Sequence, residues 1–129
     1  MRRLLLCLLA SGLPIACSSA PPDNGNKAVQ SARWATPVKH DANLYRIDDK
    51  LYRSEQPVAE DGEAIVKLGI QSVINLRFFD RNDDDHLKAY GLTLLNRPLL
   101  SWSIKPKEIA EILYLIEKQQ QNGAVLIHC

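Results

Sequence analysis

An apolar run, Ala124 to Ile127, delivers His128 and Cys129 side by side. A thiol is a strong nucleophile once ionised and an imidazole is the commonest proton shuttle, so this pair raises the first question of chemistry. Three readings are open. Cys129 is a small apolar residue closing a buried strand, as free cysteines commonly are. Alternatively, His128 serves as general base for Cys129. Adjacent residues on an extended run project to opposite sides, whereas a base must reach hydrogen-bond distance of its nucleophile, so the geometry opposes this pairing. The other histidines, His40 and His86, sit in no recognisable motif. In the third reading a strand hands a thiol to a loop that opens a helix. Backbone N–H groups and the helix N-terminus would then bind an anion and depress the thiol pKa. That design uses residues beyond Cys129, so the sequence is expected to be an N-terminal fragment of a longer domain.

The bulk numbers restrict the field. The 129 residues are 46% apolar and 24% charged, with a net charge of +1. This composition suits one globular domain at most. It has no basic stripe, and aromatics are only 6%, so no nucleic-acid partner is expected. "MRRLLLCLLASGLPIAC" reads as a secretory signal, too short to span a bilayer, over residues 1–16. Its end, Pro14-Ile15-Ala16-Cys17, resembles a bacterial lipobox, although Pro14 departs from the usual Leu. Cys17 is the expected lipidation site, and the protein is expected to be a membrane-tethered periplasmic lipoprotein. Without residues 1–16 there remain 14 basic and 15 acidic residues, a net charge of −1. Cys7 would leave with the leader, so Cys129 would be the free thiol of the mature chain.

Residues 17–33 are rich in Ser, Pro, Asn and Gly and read as a flexible, lipid-anchored linker. The domain, 34–129, begins near Trp34. "NLYRIDDKLYRSEQP" predicts a β-hairpin around Asp48-Asp49. "AEDGEAIVKLG" predicts a short helix stopped by Gly69. "IQSVINLR" and "LTLLNRPL" predict strands, separated by an acidic loop and a short helix in "FFDRNDDDHLKAYG". Ile109, Ile112, Leu113 and Ile116 recur at helical spacing between Pro106 and Asn122-Gly123. "AVLIH" is apolar throughout and predicts a central strand buried on both faces. The order argues for an α/β sandwich with a mainly parallel central sheet. No metal-ligand cluster is visible.

With these stretches in place, the sequence resembles the cysteine-dependent protein tyrosine and dual-specificity phosphatases, of the small bacterial periplasmic type. The resemblance rests on "NLYRIDDKLYRSEQP", "LGIQSVINLR", "YGLTLLNRPL" and "NGAVLIHC", in that order, from about Trp34 to Cys129. The family signature is His-Cys-x5-Arg, of which the given sequence carries His-Cys. The resemblance implies a dual-specificity-phosphatase-like sandwich whose C-terminal helices are missing, leaving one face of the sheet bare. It implies hydrolysis of a phosphorylated protein or a small phosphomonoester through a cysteinyl-phosphate, with no cofactor. Cys129 matches the nucleophile, and His128 matches the signature His that shapes the loop. The phosphate-binding Arg lies beyond the chain, and Arg53 and Arg77 are expected in surface salt bridges instead. The general acid is unknown. The stretch where the family places an Asp, "LLSWSIKP", has no carboxylate and puts Trp102 there, over the pocket mouth or in the core. Asp80, Asp83, Asp84 and Asp85 are candidates from the acidic run, although such a run is commonly a solvated helix start. The alternative is a non-catalytic phosphate-binding or structural domain of the same shape.

Overall fold

A computed structural model describes residues 34–79 and 83–129. The expected signal segment, the linker, Cys17 and Asp80 lie outside the described residues. The elements are β1 (Thr36–Lys39), β2 (Leu44–Asp48), β3 (Leu51–Ser54), α1 (Gly62–Lys67), β4 (Ile70–Asn75), a 3₁₀ segment (Asp85–Tyr90), β5 (Thr93–Asn96), α2 (Pro106–Gln119) and β6 (Ala124–His128). They form a six-stranded sheet in the order β1-β2-β3-β6-β4-β5. The expected hairpin, helices and central strand are all found. The second short helix is 3₁₀ rather than α, and it ends at Gly91, the last residue of that stretch, where φ is +74°.

One strand escaped the sequence reading. β1 is four residues long and contains Pro37. Proline cannot donate to a ladder and is tolerated at a sheet edge, which is where β1 lies, antiparallel to β2. The hairpin closes as its composition suggests, with the Lys50 N–H donating to Asp48 Oδ1 at 2.7 Å.

From β3 onward the pairing is parallel. β6 inserts between β3 and β4, and β5 extends the sheet beyond β4. The chain reaches β6 through a sharp turn at Gly123. Its φ is +152°, and a Cβ there would come within 2.3 Å of the Gln71 side chain. Alternation along the strands then divides the core. Tyr52, Val73, Ala124 and Leu126 pack with Ile65 of α1 and Leu87 of the 3₁₀ segment. Ile74 and Val125 pack on the opposite face with Ile112 and Ile116 of α2. The second face is therefore not bare: α2 covers part of it. Leu51, Leu76 and Ile127 remain half-buried beside that helix. Helix α2 begins with Pro106, and the Lys105 N–H donates to Glu108 Oε2 at 2.8 Å, which satisfies one exposed amide at the helix start.

Leu126 is fully buried at the centre of the sheet. Leu126→Ala should cost about 2–5 kcal/mol through lost burial and the cavity left behind, seen as a lower urea midpoint at unchanged slope. A loss under about 1 kcal/mol would contradict the central placement of β6.

Candidate active site

Cys129 follows β6 at the carboxyl ends of the parallel strands, the end at which open α/β sheets bind ligands. The strand's own alternation sets its direction. Ala124 and Leu126 face α1 and the 3₁₀ segment, whereas Val125 and Ile127 face α2. The next two residues continue the pattern. His128 is buried on the first side against Asp84, and Cys129 is exposed on the second. The imidazole and the thiol therefore diverge, as expected of neighbours on a strand.

Cys129 borders two clefts. A larger one, about 300 Å³, is walled by Leu76, Arg77, Phe78, Phe79, Leu99 and Trp102. A second, about 180 Å³, is lined by Arg53, Ser54, Leu76, Ile127 and His128. The wall containing Leu99 and Trp102 is held by backbone bonds that continue the ladder past β5. The Arg97 N–H donates to the Asn75 carbonyl and the Leu99 N–H to the Leu76 carbonyl, both at 2.9 Å. The Arg97 guanidinium also pairs with Glu111 of α2. Of the two positions expected for Trp102, the structure shows the cleft: its side chain is 76% exposed on that wall. Phe78 and Phe79 stand edge to face, with centroids 5.0 Å apart.

His128 Nε2 lies 2.8 Å from Asp84 Oδ2, and both side chains are buried. Burial alone raises the Asp84 pKa. The hydrogen bond and charge of His128, the hydrogen bond from Gln56 and the charge of His86 outweigh that effect, and the net shift is downward. An ionised carboxylate accepts only, so Nε2 carries a proton, and His128 Nδ1 has no partner among the described residues. Gln56 Nε2 donates to the other Asp84 oxygen at 2.8 Å, and Gln56 Oε1 accepts from Arg77 Nη1 at 3.1 Å. The loop carrying Gln56 is anchored by buried Asp61, which accepts from the Val58 N–H at 2.9 Å and from Lys39 Nζ at 2.5 Å.

The acidic run is thus divided by the fold. Asp83 pairs with Arg77 at 3.1 Å, and Asp85 pairs with Lys88 at 2.7 Å on the surface. Asp84, expected to be a solvated helix start, is instead 3% exposed because its carboxylate turns inward to meet a buried imidazole. Among the described residues no carboxylate lines either cleft at Cys129. Arg77 makes the expected ion pair but also joins the cleft wall. Arg53 stacks over Tyr45, 4.3 Å from the ring centroid, and lines the second cleft. Sequence reasoning missed Gln56 and offered Asp84 only as one of four candidate acids. Gln56 has no chemical signature of its own in "YRSEQP", and nothing local separates Asp84 from the aspartates on either side.

The depressed Asp84 pKa carries a sign. The unfolded carboxyl titrates near ~3.9, so the stabilisation is fully present above that pH and is lost as pH falls through the lower folded value. Asp84→Asn should lower stability near neutrality by about 1.5–3 kcal/mol and flatten the acid limb of a plot of unfolding free energy against pH. Parallel acid limbs for wild type and variant would contradict the lowered Asp84 pKa.

Comparison with known proteins adds an independent observation. No family model matches the sequence. The dual specificity protein phosphatase TpbA of Pseudomonas aeruginosa is 28% identical over 102 residues, covering 79% of this chain and 46% of that protein. The chain thus spans about half the length of this curated relative. The crystal structure of P. aeruginosa TpbA superposes with a TM-score of 0.71 at 28% identity, covering 78% of this chain and 61% of the other. A cysteine-to-serine variant of TpbA in complex with phosphotyrosine gives a TM-score of 0.70 at 27% identity, over 77% and 60% of the two chains.

Proposed function

We propose, from the premise that this chain belongs to the cysteine-dependent phosphatases, that Cys129 is the nucleophile of a phosphomonoesterase acting on aryl phosphates such as phosphotyrosine. The observation that carries the reading is the exposed Cys129 at the end of the central parallel strand, beside a cleft walled by Phe78, Phe79 and Trp102. Aromatic walls suit a flat aryl leaving group, and the similar TpbA variant is described in complex with phosphotyrosine. The Cys129 thiolate attacks phosphorus, forming an S–P bond as the P–O bond to the leaving oxygen breaks. Water then attacks the cysteinyl-phosphate, releasing inorganic phosphate and restoring the thiolate. The charge that builds on the transferring group calls for oriented backbone amides and a bidentate guanidinium. Arg77 is engaged by Asp83 and Gln56. The reading therefore assigns the clamp to residues following Cys129, and residues 17–129 alone should be inactive.

Among the described residues no carboxylate lines the cleft, and this sets the expected leaving-group preference. Aryl phosphates, whose departing oxygen needs little protonation, should react far faster than alkyl phosphates, by a factor on the order of the 10²–10⁴ a general acid supplies. Steady-state hydrolysis of p-nitrophenyl phosphate and an alkyl phosphate by the full-length protein tests this, with Cys129→Ser expected to abolish both. Unchanged rates in Cys129→Ser would overturn the assignment. Phosphate binding without turnover in wild type would favour the non-catalytic reading. Turnover by residues 17–129 that disappears in Cys129→Ser would refute the need for residues beyond them.

We also propose export to the periplasm and tethering through Cys17, on the strength of "RRLLLCLLASGLPIAC" and the linker that follows. In a bacterial host, metabolic lipid labelling should be lost in Cys17→Ala, and the variant should move to the soluble periplasmic fraction. Equal labelling of both proteins would exclude the anchor.

A further inference from the structure

The motif "YRSEQP" has a chemical consequence at Gln56. Its donors and acceptors form a line of four side chains in which donation converges on the Asp84 carboxylate from both ends. Arg77 Nη1 donates to Gln56 Oε1 at 3.1 Å, Gln56 Nε2 donates to Asp84 Oδ1 at 2.8 Å, and Asp84 Oδ2 accepts from His128 Nε2 at 2.8 Å. The four residues come from the loop after β3, the segment after β4, the turn before the 3₁₀ segment and the end of β6. One end of this line is on the wall of the Cys129 cleft, and the other is the residue preceding Cys129.

We propose that Gln56 and Asp84 are positioning residues for Cys129. Together they lock the His128 ring to the Arg77 wall and so fix the end of β6 relative to the cleft. The proposal rests on reading Cys129 as the nucleophile. Stability alone is a poor reason for this arrangement, because an apolar pair of similar volume is commonly as stable as a buried ionic one or more so. Leu126, two residues earlier on the same face, belongs to an apolar cluster. The polar set instead stands at the carboxyl ends of the strands. There, a displacement of about 1 Å in a reacting group can cost on the order of 10²-fold in rate.

The donor–acceptor order supplies a specific test. In Asp84→Asn the introduced amide cannot accept from both neighbours. If its oxygen meets His128, its NH₂ faces the Gln56 NH₂, and turning Gln56 over moves that conflict to Arg77. Adding Gln56→Glu restores an acceptor between the new NH₂ and Arg77. Gln56→Leu, at a half-buried site, removes both Gln56 bonds without touching the buried pair and provides a folded variant should Asp84→Asn unfold. Two measurements on the full-length protein decide the matter: kcat and KM for p-nitrophenyl phosphate, and hydrogen exchange of the Leu76 amide, which donates to the His128 carbonyl at 2.9 Å. Expected for Asp84→Asn and Gln56→Leu are a kcat lower by about 10–100-fold at little-changed KM and faster Leu76 exchange. The Asp84→Asn/Gln56→Glu double variant should recover most of both. If the folded single variants match wild type in kcat and in exchange, or the double variant recovers neither, the proposal is overturned. A wild type without phosphatase activity removes the functional reading alone, and the exchange data then decide whether the relay holds the end of β6.

Discussion

The side-chain alternation of β6 is the constraint on which the rest of the arrangement depends. β6 is paired on both edges, to β3 and β4, so its register cannot slip without breaking two ladders. Its even-numbered positions, Ala124 and Leu126, fill the core under α1, and its odd-numbered positions, Val125 and Ile127, pack toward α2. Carried on by two residues, the same parity sends an imidazole into the interior and a thiol into a cleft. A shift of a single residue would bury the thiol and expose the histidine. Apolar burial several residues away thus sets the direction of the thiol.

Placing polar groups at the ends of buried strands creates a second demand. Each must find a partner or bear the cost of desolvation. His128 finds Asp84, Asp84 finds Gln56, and Gln56 finds Arg77. Asp61 plays a similar part at the base of the loop, joining Val58 to Lys39 of the edge strand. The loops that surround Cys129 are consequently fixed by side chains that reach between segments, over and above the ladders that order the sheet.

The cleft itself combines aromatic walls with an absence of carboxylates among its described lining. All three described aspartates of the acidic run are engaged elsewhere, by Arg77, His128 and Lys88. Under the proposed function, this cleft would hold an aromatic ring beside the thiol, with protonation of the departing oxygen left to solvent or to residues outside the described ones. The fold itself is similar to that of TpbA, at 28% identity and a TM-score of 0.71.

Much of the architecture was determined locally. Helical spacing from Ile109 to Ile116, the glycines at 69, 91 and 123, and the unbroken apolar run before His128 each express a short-range period or backbone preference. They predicted α2, the element ends and the central strand, and the opposed directions of His128 and Cys129 followed from the same two-residue period. Strand β1 was not legible, because four residues with a proline carry too little pattern. The pairing partners of the site were not legible either. Asp84 is flanked by Asp83 and Asp85, and no local property distinguishes the middle residue. Its burial arises from a contact 44 residues away, which exists only once β6 has been laid between β3 and β4. Gln56 likewise acquires its partners 21 and 28 residues away, when the loop after β3 meets the segment after β4 and the turn before the 3₁₀ segment. Periodicity is a property of neighbouring residues and can be read along the chain. A hydrogen bond between distant side chains depends on how the core packs, and only the tertiary structure decided it.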